Sequence, residues 1–71
     1  MSYLSLNELR SMGFKYTGAN VKVSSKASIY DAEKIILENN SRIDDFCILS
    51  GKIVIGKNVH VTPYCLLAGA S

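Results

Sequence analysis

The stretch LENNSRIDDFCILSGKIVIGKNVHVTPYCLL, residues 37–67, decides the fold of this 71-residue chain. In groups of six (hexads) counted from the first leucine, every sixth residue is aliphatic: Leu37, Ile43, Leu49, Ile55, Val61 and Leu67. Six does not match the 3.6-residue repeat of an α-helix, but it is a multiple of the two-residue period of a strand. Strands rarely exceed about ten residues, so the pattern requires several short strands separated by corners.

Alternation within these strands predicts which side chains point inward. Because alternate residues of a strand share a face, the fifth residue of each hexad points the same way as the next aliphatic residue. The fifth residues are small or apolar, as an interior requires: Ser41, Cys47, Ile53, Val59 and Cys65. The residues between point outward: Arg42, Ile48, Val54, His60 and Leu66. With turn-forming pairs such as Asn39-Asn40 at the corners, the pattern predicts an all-β hexapeptide-repeat parallel β-helix.

The same period begins earlier in the chain and predicts about three coils, with three hexads in each. Aliphatic or β-branched residues recur at Thr17, Val23, Ile29 and Ile35 before the frame shifts by two at Leu37. We therefore assign residues 17–71 to β-helix coils, truncated at the end of the chain, and residues 1–16 to an N-terminal helix and docking segment. Ser5 and Glu8 form a capping box and Gly13 suits a helix end, which predicts a short helix over 5–12.

Composition narrows the classes of function. The net charge of +2 is small, and the basic residues are scattered, which argues against nucleic acid as a partner. No apolar stretch approaches the roughly 20 residues of a membrane span, and no secretory signal is visible, so we expect a cytoplasmic protein.

Cys47 and Cys65 are separated by three hexads, which places them in one predicted interior column, and we expect free thiols there. We expect no metal site.

Three segments resemble a known family: MGF at residues 12–14, TGANVKVSSKASIY at 17–30, and residues 42–67. They are similar to the N-terminal part of hexapeptide-repeat acyltransferases, in particular sugar O-acetyltransferases of the galactoside/xenobiotic type. The resemblance implies a left-handed coil, a homotrimer, and acetyl-CoA and a sugar acceptor bound between neighbouring β-helices, in polysaccharide biosynthesis. Family members are longer, so we expect the 71-residue piece alone to have an incomplete active site and little activity.

The candidate site lies on one outward face. The resemblance implies a histidine general base, and His60 is the only histidine. It follows Arg42 by three hexads, so the two should stack on successive coils. The alternative is a surface histidine without a chemical role. Arg42, Asp44 and Asp45 are candidates for binding a sugar hydroxyl, although a solvated corner is the plainer interpretation of the two aspartates.

A second outward face suggests assembly. Ile48 and Leu66 should stack as exposed aliphatic residues, which favours a buried partner surface, and Tyr64 could lie at its rim.

Two other functions compete with acyl transfer. One is a non-catalytic β-helix assembly module; the other is a metal-dependent hydratase of the carbonic anhydrase type, for which a single histidine is too few.

Overall fold

The computed structural model describes residues 2–70 of the chain. One short helix, α1 (Leu6–Met12), precedes nine short strands. The strands are β1 (Tyr16–Thr17), β2 (Lys22–Val23), β3 (Ser28–Tyr30), β4 (Ile35–Leu37), β5 (Arg42–Ile43), β6 (Ile48–Ser50), β7 (Ile53–Ile55), β8 (His60–Val61) and β9 (Leu66–Ala68). A 3₁₀ turn, Ala32–Lys34, lies between β3 and β4.

The strands form three walls of a coil. Every third strand pairs in parallel, giving the sheets β1-β4-β7, β2-β5-β8 and β3-β6-β9. The chain therefore passes along each wall once per coil and completes three coils. This architecture is a left-handed parallel β-helix preceded by a short α-helix, and the predicted fold class is confirmed.

The frame shift has a structural location. Val23 pairs with Ile43, and Ile43 pairs with Val61. The segment that joins the first pair is two residues longer than the segment that joins the second pair, and this difference is the frame shift. The extra residues are absorbed by the 3₁₀ turn at a corner, outside the strand ladders. Ile35 consequently pairs with Ile53. The hexad pattern predicts that Ile35 stacks on Thr17. This predicted register is wrong, because the frame shift lies before Ile35 in the sequence.

The core consists of stacked aliphatic columns inside the coil. The side chains of Leu37, Ile43 and Leu49, all in the middle coil, are fully buried. Val59, expected to point inward, is 42% exposed. It lies in the last described coil, where no further coil stacks on it. Packing of the neighbouring coils therefore supplies most of the burial at each level of the stack.

The interior cysteines follow the predicted stacking. Cys47 is buried and Cys65 is partly buried, and both are free thiols. The carbonyl oxygen of Thr62 lies 3.0 Å from the Cys47 Sγ and accepts its weak hydrogen bond. Cys47 therefore acts as a small core residue.

Asparagine residues form the predicted corners. Asn20, Asn40 and Asn58 all have a positive φ of 57–61°, a conformation that asparagine tolerates better than most residues. Phe46 and Tyr64 adopt the same left-handed conformation, with φ of 62° and 64°. Tyr64 was expected at a corner, whereas Phe46 was not, and the two rings stack with centroids 5.2 Å apart.

The N-terminal segment is tied to the first coil. The Ser5 side chain and the Glu8 carboxylate cap each other's backbone N–H groups, and Gly13 ends the helix with a φ of 80°. Leu9 is 4% exposed and joins the core. Before the helix, Tyr3 pairs with Ser24 in an isolated antiparallel bridge. This bridge brings Tyr3 onto the β2-β5-β8 wall.

Candidate functional site

One wall of the β-helix is polar on its outer face. The register of β2, β5 and β8 stacks Lys22, Arg42 and His60 on one another. The outward residues of the other walls are mainly apolar: Tyr16, Ile36 and Val54 on one wall, Ile48 and Leu66 on the other. The basic residues of the described strands therefore all lie on a single wall, as expected for Arg42 and His60.

A buried carboxylate lies beneath the polar wall. Asp44 is 2% exposed, and its carboxylate is held by three side chains. The Arg42 Nε lies 3.3 Å from the Asp44 Oδ1, the Tyr3 hydroxyl donates a hydrogen bond to the same oxygen at 3.3 Å, and the His60 Nε2 contacts the Oδ2. Asp44 is therefore not the solvated corner residue suggested by the sequence, because the N-terminal segment and the next coil cover it.

These contacts change the ionisation of two residues. Burial raises the pKa of the Asp44 carboxyl, but the hydrogen bond with His60 and the charge of Arg42 outweigh burial and lower it overall. The pKa of the Tyr3 hydroxyl is raised, mainly by its removal from solvent and only in part by the carboxylates nearby. Asp44 therefore stays ionised at neutral pH, and Tyr3 stays a hydrogen-bond donor to it.

The buried carboxylate orients the imidazole of His60. When the Nε2–H of His60 is donated to Asp44, the Nδ1 is the ring's acceptor. The Arg42 Nη2 lies 2.8 Å from the His60 Nε2 and 3.1 Å from the Nδ1. The His60 side chain is 40% exposed, so the imidazole is held in place from below and reaches solvent. A fixed, partly exposed imidazole can exchange a proton with a bound ligand.

An open groove runs along this wall. It has a volume of about 470 Å³. Its lining consists of Asn20, Lys22, Asn40, Ser41, Arg42 and His60. Among residues 2–70, no carboxylate lines it. Amide, ammonium, guanidinium and imidazole groups are hydrogen-bond donors, so the groove is chemically suited to an anion.

The structure brings together three of the four residues predicted for the sugar site and the base: Arg42, Asp44 and His60. Asp45 lies apart from them and accepts a hydrogen bond from the Ser24 hydroxyl. Lys22 and Tyr3 were not among the residues predicted for the site. Lys22 could have been found, because the frame shift places it in the outward column of Arg42. Tyr3 gave no such signal, since it precedes the repeats.

The residues predicted for an assembly surface occupy a neighbouring region. Ile48 pairs with Leu66 in register, and their side chains are 42% and 68% exposed. Tyr64 is 78% exposed and stacks on Phe46, whose ring also lies 5.6 Å from the Lys26 Nζ. These contacts give one wall an exposed apolar surface with an aromatic corner.

Within residues 2–70, no three His, Cys, Asp or Glu side chains are grouped so that they could hold a metal ion. The single helix of that part is too short and polar to cross a membrane.

Comparison with known proteins identifies homologues. The chain is 54% identical over 50 residues to a dTDP-4-amino-4,6-dideoxy-D-glucose acyltransferase from Escherichia coli, covering 70% of this chain and 26% of the relative. It superposes with a TM-score of 0.96 and 50% identity on AntD, an N-acyltransferase from Bacillus cereus in complex with dTDP and 3-hydroxybutyryl-CoA. A variant of AntD with dTDP-4-amino-4,6-dideoxyglucose and coenzyme A gives a TM-score of 0.95 at 50% identity. No protein-family model matches the chain.

The homologues of this chain are hexapeptide-repeat acyltransferases that act on sugars. More particularly, one is a dTDP-4-amino-4,6-dideoxy-D-glucose acyltransferase. The other, AntD, is an N-acyltransferase whose structures contain coenzyme A or 3-hydroxybutyryl-CoA together with dTDP or dTDP-4-amino-4,6-dideoxyglucose. The predicted resemblance to hexapeptide-repeat acyltransferases is therefore confirmed. The two AntD superpositions cover 99% of this chain but only 37% and 38% of AntD, so the chain corresponds to part of such an enzyme.

Proposed function

We propose that the chain forms part of an acyl-CoA-dependent N-acyltransferase whose acceptor is a dTDP-linked amino sugar. The observation that carries this proposal is the 50% identity and TM-score of 0.96 to AntD over 99% of the chain. The sequence-based expectation was an O-acetyltransferase. The named relatives act on amino sugars, and one is bound to 3-hydroxybutyryl-CoA, which favours an amine acceptor and leaves acetyl as only one candidate acyl group.

His60 is the proposed general base. The sugar amine attacks the thioester carbonyl, a C–N bond forms, the C–S bond breaks, and the thiolate of coenzyme A leaves. The amine loses one proton, which the His60 Nδ1 accepts and later passes to the thiolate. Asp44 fixes the ring through the Nε2. Arg42, which lies 3.1 Å from the Nδ1, must turn away first, and a ligand anion would draw it away.

Assembly forms the second part of the proposal. Ile48 and Leu66 are exposed in one apolar wall, with Tyr64 at the neighbouring corner, and we propose that this surface packs against another copy in a homotrimer. Coenzyme A is an extended ligand, whereas three coils stack to only about 15 Å. We therefore expect little turnover from the 71-residue piece alone. Free cysteines fit a cytoplasmic location.

A chimera tests the proposal. Residues 2–70 replace the matched part of AntD, and mass spectrometry follows amide formation from dTDP-4-amino-4,6-dideoxyglucose and 3-hydroxybutyryl-CoA. We expect the chimera to form the amide, and His60→Gln to lower its kcat by about 100-fold or more, as for loss of a general base. An unchanged kcat would exclude His60 as the general base and would leave the acyltransferase proposal itself intact.

The alternative function, a non-catalytic assembly module, is favoured by the exposed apolar wall alone. It predicts a folded chimera that neither binds acyl-CoA in a calorimetric titration nor forms the amide. That result would contradict the acyltransferase proposal.

A further inference from the structure

We propose that the groove on the β2-β5-β8 wall binds the diphosphate of the sugar nucleotide, with Lys22 as its freest cationic contact. This inference rests on the proposed function, since it assigns one part of the acceptor to one set of residues. Lys22 is exposed, and its ammonium lies 5.7 Å from the centroid of the Tyr3 ring. It lies outside the Asp44 network and is free to meet an incoming anion.

The chemistry of the lining supports a phosphate ligand. Lys22, Arg42 and His60 supply charged or polar donors, while Asn20 and Asn40 supply amide groups from the adjoining corner. The nearest carboxylate, Asp44, has a side chain only 3% exposed. Its charge is directed toward Arg42 and His60 rather than into the groove, so no carboxylate of the lining repels an incoming phosphate.

The spacing of the wall suits a diphosphate. Neighbouring strands are about 4.8 Å apart, so Lys22 and Arg42 can contact adjacent phosphate groups of one ligand. Arg42 is well suited to this, because a guanidinium can donate two parallel hydrogen bonds to phosphate oxygens. When Arg42 turns to the phosphate, it leaves the His60 Nδ1.

The same placement gives the ligand a direction. With the diphosphate against Lys22 and Arg42, a sugar ring attached to it extends one strand further and reaches His60. The nucleoside then extends past Lys22 toward the corner at Asn20, which also lines the groove. A single ligand orientation therefore connects the phosphate donors with the proposed base.

The test compares two lysines. Lys22→Gln removes the proposed contact, whereas Lys34→Gln removes the same charge from an exposed position in the 3₁₀ turn, outside the groove lining. Calorimetric titrations of each protein use dTDP, inorganic pyrophosphate and thymidine. We expect Lys22→Gln to weaken dTDP and pyrophosphate about fivefold to tenfold, Lys34→Gln to change both less than about twofold, and thymidine to bind equally to all proteins.

Titration results that differ from this expectation separate the groove assignment from the proposed function. Equal weakening by both variants would overturn the groove assignment in favour of general charge attraction. No weakening by either would overturn it while leaving the acyltransfer proposal intact. Pyrophosphate binding that depends on Lys22 without any dTDP binding would support the anion groove and contradict the proposed function. No binding of either ligand to the unsubstituted protein would overturn the groove assignment, whereas the acyltransfer proposal is tested separately by the chimera.

Discussion

Replacement of the buried carboxylate, Asp44→Asn, should destabilise the fold and remove part of its acid sensitivity. The substitution keeps the shape of the side chain but removes the charge that Arg42 and His60 face. Breaking a fully buried ion pair costs about 3–5 kcal/mol. The Arg42 and His60 side chains, however, are 43% and 40% exposed and remain hydrated, so we expect a loss of about 1–2 kcal/mol at neutral pH.

The stability that Asp44 contributes depends on pH. The folded state lowers the pKa of Asp44, so ionisation of the carboxyl favours folding. The stabilisation is fully present above the ordinary carboxyl range and is lost as the pH falls through the lower, folded-state pKa. The difference in stability between the native sequence and Asp44→Asn should therefore be largest near neutral pH and shrink in acid.

Urea denaturation between about pH 7 and about pH 2 measures this difference. Glu33→Gln is the matched control, since Glu33 is an exposed carboxylate in the 3₁₀ turn, and it should change stability by less than about 0.5 kcal/mol. A loss on Asp44→Asn that is absent at neutral pH, or that stays constant down to the acid limit, would refute the role given to the carboxylate.

Two further predictions concern the coil. The Ser41 hydroxyl is buried without a hydrogen-bond partner among the described residues. Ser41→Ala should therefore raise the free energy of unfolding, measured by urea denaturation, by about 1 kcal/mol. A loss of similar size would mean that the hydroxyl is hydrogen-bonded. Asn58 has a φ of 61°, so Asn58→Val should lower the free energy of unfolding by about 1–2 kcal/mol, whereas Asn58→Gly should change it by less than about 0.5 kcal/mol; equal losses would contradict a backbone cause.

The repeat predicted the coil because its period is a property of every strand and corner. Inward columns such as Ile43 and Val61 follow from alternation alone, and the corner at Asn40 follows from local backbone preference. The corner at Phe46 could have been predicted as well. Phe46 and Tyr64 occupy the same fourth position of their hexads as Asn40, and only their bulk argued against a left-handed conformation there.

The candidate site follows only in part from the repeat. The pairing of Arg42 with His60 follows from a coil of three hexads, but the burial of Asp44 depends on Tyr3, 41 residues away in sequence. Nothing periodic links the N-terminal segment to the wall, since its position results from an isolated bridge to Ser24. Long-range contacts of this kind arise from tertiary packing and leave no local sequence signal.

Localisation of dTDP on the protein by ¹H–¹⁵N NMR titration tests the central claim most directly. If the polar wall holds the sugar nucleotide, the largest shift changes will cluster at the amides of Lys22, Arg42 and His60. The apolar wall carrying Ile48 and Leu66 will change little. Changes centred on the apolar wall, or no changes at saturating dTDP, would contradict the assignment of this wall as the acceptor site.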